Sequence, residues 1–67
     1  MPFRNYTQFD GATLDKMREA YDAVVRRLAL KSDDPRTGRL AAKIAALAAE
    51  GERDVGRLTD QALIELK

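Results

Sequence analysis

The sequence predicts an all-α fold, a small three-helix bundle with a short N-terminal aromatic arm. Three observations carry that reading. Apolar residues recur at helical spacing in three separate stretches, KSDDP and EGERD interrupt them with turn and capping residues, and 67 residues leave room for one domain only. The expected division is an arm over 1–12 and helices over about 13–31, 35–50 and 54–66, all within a single domain spanning 1–67.

In the first helical stretch, Leu14, Met17, Tyr21, Val24 and Leu28 follow spacings of 3, 4, 3 and 4 and so share a stripe. At 100° per residue, Ala20 and Val25 widen that stripe to an arc of about 140°. Thr13 is placed to cap the helix, with Asp15 near its positive end. Arg18–Asp22 and Asp22–Arg26 stand four residues apart as opposite charges on the wet side.

Asp34-Pro35 reads as the cap and first residue of the second helix, because proline is tolerated where no amide is needed. Gly51 is the expected left-handed stop. On the wheel of this helix, Ile44 and Leu47 lie within about 40° of Leu40, and six alanines cover the next 160° or so. Arg36, Arg39, Lys43 and Glu50 crowd into about 60°. So wide an apolar arc asks to be covered on more than one side. Either the helix lies centrally in the bundle, or its alanine face meets a second copy. Asp54 caps the third helix, whose stripe is Val55, Leu58, Ala62 and Leu66, while Ile64 points away from it.

Composition excludes several chemistries. The chain has no cysteine and no histidine, which removes disulfides, thiolate sites and the commonest metal ligand and general base. Twelve basic residues against 11 acidic give a net charge of +1, too little to hold a polyanion or an anionic surface by charge alone. Ser32, the one serine, sits beside Asp33 and Asp34 in a turn signal, and the glycines are isolated rather than gathered in a phosphate loop. Glu50, Glu52 and Asp54 lack the spacing of a calcium loop. No enzyme activity, cofactor, metal site or small-molecule substrate is expected. MPFRNYTQFD lacks a hydrophobic signal core and no apolar run approaches a membrane span, so the expected address is cytoplasmic.

The stretch LAAEGERDVGRL raises the question of a DNA-reading helix-turn-helix. Residues 54–67 carry Asp54, Asp60 and Glu65 against Arg57 and Lys67, two positive against three negative for a net of −1. Arg57, Thr59 and Gln61 could reach base edges, but the neighbouring acids would face phosphate. A plain helical hairpin is the preferred reading, and nucleic acid is not an expected partner. The basic residues Arg26, Arg27, Lys31, Arg36 and Arg39 read as a solvated edge between the first two helices.

The expected function is a protein–protein interaction module, homodimeric or adaptor-like. Its residues are Phe3, Tyr6 and Phe9 as anchors, Ala42, Ala46 and Ala49 as a close-approach face, and Ile64 at its edge. The arm either closes over its own core or reaches into a partner. The alternative is a small DNA-binding regulator using residues 54–67. Leu30 and Ile64, both off their stripes, also ask for a cover.

The pattern of Met17, Ala20, Tyr21 and Asp22, together with the LAAEGERD turn and the closing LTDQAL, resembles short uncharacterised bacterial helical proteins of about this length. The resemblance implies a bacterial cytosolic helical protein and carries no activity, cofactor or site residue with it.

Overall fold

The computed structural model describes residues 8–66, which form three α-helices and, among those residues, no strand: α1 (Gly11–Leu28), α2 (Arg36–Ala49) and α3 (Val55–Leu66). Each helix packs against both others.

Helix α1 starts two residues earlier than expected, and its cap is Asp10 rather than Thr13. The Thr13 amide donates to Asp10 Oδ1 at 2.8 Å, and the Leu14 amide reaches the Asp10 carbonyl at 2.9 Å. Asp10 wins because its short carboxylate stands three residues before the amide it must satisfy. Hydrogen bonds from the Thr13 side chain and amide hold the Asp10 carboxyl below its usual range. Thr13 itself is buried one turn inside the helix. Asp15 lies beyond the first turn and pairs with Arg18 at 3.2 Å. The expected four-residue pairs through Asp22 do not form among the described residues.

The end of α1 comes three residues before the expected one. Ala29 turns left-handed at φ 51° and ψ 45°, the Ala29 amide donates to the Arg26 carbonyl and the Leu30 amide to the Val25 carbonyl at 3.0 Å. These two bonds form a Schellman motif. The turn swings Leu30 back beneath the helix, where it is buried in the core. Leu30 therefore needs no partner to cover it, contrary to expectation; its position off the helical stripe follows from its lying outside the helix.

Asp34 and Pro35 behave as cap and first turn of α2. Pro35 already has helical angles (φ −60°, ψ −19°), and Asp34 Oδ1 accepts the Arg36 amide at 2.8 Å. The Arg36 guanidinium closes on the same carboxylate at 3.1 and 2.9 Å. These contacts, the guanidinium first and the amide second, lower the Asp34 pKa to about 2.

Helix α2 ends in a second Schellman motif. Gly51 has φ 104°, its amide donates to the Ala48 carbonyl at 3.0 Å, and the Glu52 amide donates to Leu47 at 3.0 Å. The Arg53 guanidinium donates to the Ala48 carbonyl as well. Asp54 Oδ1 then accepts the Arg57 amide at 3.1 Å and caps α3 as expected. LAAEGERD is thus a stop, a turn and a cap in succession.

Met17, Ala20 and Val24 from α1, Leu40, Ile44, Ala45 and Ala48 from α2, and Leu58 and Ala62 from α3 meet in one core with Leu30. Leu14, Tyr21, Val25 and Leu28 only flank it, so the buried centre of α1 lies to one side of its apolar stripe.

Candidate interaction surface

Both neighbours of α2 pack against one side of it, and this decides which alanines are covered. Leu40, Ile44, Ala48 and Ala45 are buried and span about 140° of the helix. Ala41 is half-buried within that arc. Ala42, Ala46 and Ala49 follow at about 180–240° from Leu40 and are exposed. The wide apolar arc is therefore divided: one alanine set lets α2 come close to its own neighbours, and the other faces water.

Beside the exposed set runs an open groove of about 370 Å³, lined by Arg39, Ala42, Lys43, Ala46 and Glu65. It exists because α2 and α3 form a hairpin, which brings the C-terminal turn of α3 alongside the N-terminal half of α2. Arg39 Nη2 donates to the Glu65 carbonyl at 3.3 Å and so occupies one of the carbonyls that α3 leaves without a helical partner. Ile64, next to Glu65, is 63 % exposed. It is the large apolar side chain most open to solvent among the described residues.

The other expected anchors separate. Phe9 is half-buried and packs against the core, so it acts as part of the lid. Phe3 and Tyr6 lie outside the described residues. Arg39, Lys43 and Glu65 line the groove and were absent from the expected set. Arg39 and Lys43 are legible in hindsight, because they alternate with Ala42 and Ala46 at helical spacing. Glu65 is not, since its place depends on how α3 docks.

The remaining constellations have local explanations. Glu52 Oε1 accepts the amides of Arg53 and Asp54, both at 3.1 Å, and Asp54 caps α3. Those carboxylates serve helix ends. Thr59, one of three possible base readers, is buried with its hydroxyl donating to the Val55 carbonyl at 2.7 Å. Arg36 is tied to Asp34, which removes one cation from the basic edge. No helix among the described residues is long and apolar enough to cross a membrane.

No family model, curated protein or solved structure matches the chain. That finding overturns the resemblance to short bacterial helical proteins. The residues that suggested it are packing and turn features: Met17 and Ala20 are core, Tyr21 flanks it, and LAAEGERD closes a helical hairpin. Unrelated helical chains need such residues for the same physical reasons.

Proposed function

We propose that the chain is a protein–protein interaction module that works without catalysis, by presenting the outer face of α2 to another protein surface. The observation that carries this reading is the alignment of Ala42, Ala46 and Ala49 on successive turns beside the Arg39–Glu65 groove, with Ile64 exposed on the adjoining helix. Alanine faces let backbones approach to the short end of the 8–10 Å range of helix pairs, and the groove offers relief for side chains from the other surface. Phe9 packs on its own core and lies outside this surface.

A photo-cross-linking side chain placed at position 46 tests this in living cells, with position 19 on the exposed side of α1 as control. Adducts with protein from position 46 and none from position 19 are the expected result. Equal labelling from both positions, or none from position 46, overturns the proposal.

A further inference from the structure

We propose that the surface seated on α2 is a second copy of the same helix, laid antiparallel, with Lys43 of each copy facing Glu50 of the other. This deepens the reading above and rests on it. Charge order along the helix points to this arrangement. Arg36, Arg39, Lys43 and Glu50 share one sector of about 60°, directly beside Ala46. With Arg36 tied to Asp34, the strip keeps Arg39 and Lys43 as its N-terminal cations, and Glu50 stands alone at its acidic C-terminal end, because Glu52 and Asp54 lie beyond the Gly51 turn and serve helix ends.

Such a strip is complementary to itself in one orientation only. Two copies laid antiparallel bring Lys43 of each against Glu50 of the other. Two copies laid parallel about a two-fold axis put their strips on opposite flanks of the contact, where the strips cannot pair, and align their helix dipoles unfavourably as well. Lys43 and Glu50 are seven residues apart, two turns or about 10.5 Å along the axis. The two-fold axis that exchanges them passes midway, at the level of exposed Ala46, where the helices can come closest. A two-fold pair with the same patch on both sides is the commonest closed assembly.

Lys43 and Glu50 are also available for this contact. Neither takes part in an ion pair or side-chain hydrogen bond among the described residues. The groove beside them holds Arg39 and Lys43 against Glu65, two positive charges and one negative, so its net charge of +1 accepts an incoming carboxylate. The contact area is one helix face, well below the roughly 1,200–2,000 Å² of a standard interface, so the pair forms reversibly at high concentration.

Sedimentation equilibrium from micromolar to millimolar protein at low salt provides the test, on the full chain and on Lys43→Glu, Glu50→Lys and the double variant. Each single reversal creates two like-charge contacts per dimer and should weaken association about tenfold. The double variant restores both attractions and should return to within about threefold of the parent. Far-UV circular dichroism confirms that each variant keeps its helices. Single variants that associate as the parent does, or a double variant as weak as the singles, overturn the register. A parent chain that stays monomeric throughout overturns the second copy as occupant. Cross-links from position 46 to a different protein would then uphold the interaction module without it.

Discussion

Replacing Ala29 by glycine should stabilise this chain, although it removes a methyl group and touches no core contact. Ala29 is the non-glycine residue with positive φ among the described residues, at 51°, and it is exposed. An L-residue held in the left-handed region carries about 1–2 kcal/mol of steric cost. Glycine removes that cost but loosens the unfolded chain, which returns about 0.4–1 kcal/mol. The difference is a net gain of about 0.5–1 kcal/mol, or roughly 2–8 °C in melting temperature for a domain of this size. Thermal and urea unfolding followed by helical circular dichroism would read it. Ala29→Val should move the midpoint the other way, since a branched side chain fits that conformation worse. A melting temperature unchanged or lowered by Ala29→Gly would refute the left-handed turn as the end of α1, and with it the explanation of why Leu30 is buried.

Gly51→Ala probes the matching turn in the opposite sense. A Cβ there meets open space, so only the φ of 104° opposes it, and a loss of about 1 kcal/mol is expected in the same unfolding assay. Leu58→Ala removes a fully buried side chain at the meeting of the helices and should cost about 2–5 kcal/mol, visible as a large drop in urea midpoint. Ile64→Gln should leave stability within about 0.5 kcal/mol, because the side chain is already mostly in water. Lowering pH should destabilise the fold. Asp34 has its pKa lowered to about 2 from an ordinary 3.8, and Asp10 is lowered as well, so across that window the unfolded chain binds more protons than the folded one. The stability these carboxylates contribute is present above about pH 4 and fades towards pH 2. Asp34→Asn should flatten the acid limb of a melting-temperature profile, whereas Lys31→Gln should not.

The three helices were legible because each carries an apolar period that no other element would bury. The stop at Gly51 and the cap at Asp54 were legible for a related reason, since both act within a few residues of chain. The start and end of α1 depart from the sequence expectation where two local rules compete. Asp10 and Thr13 are both capping residues, and only the geometry shows that one supplies the carboxylate and the other the amide. Ala29 is a helix former by propensity, yet burying Leu30 draws it into a left-handed turn. The division of the alanine face was open from sequence alone, because Ala45 and Ala46 are chemically identical and differ only in which side α1 and α3 occupy. Glu65 joined the groove through long-range packing, which no local pattern encodes.

We propose the outer face of α2 as a meeting surface. The most direct measurement is the set of backbone amide chemical shifts followed from micromolar to millimolar protein. Progressive changes are expected only at the exposed positions from Arg39 to Glu50 and at Ile64 and Glu65, with α1 unmoved. Shifts that stay constant over the whole range, or that move first on the outer side of α1, would contradict it for contacts between copies.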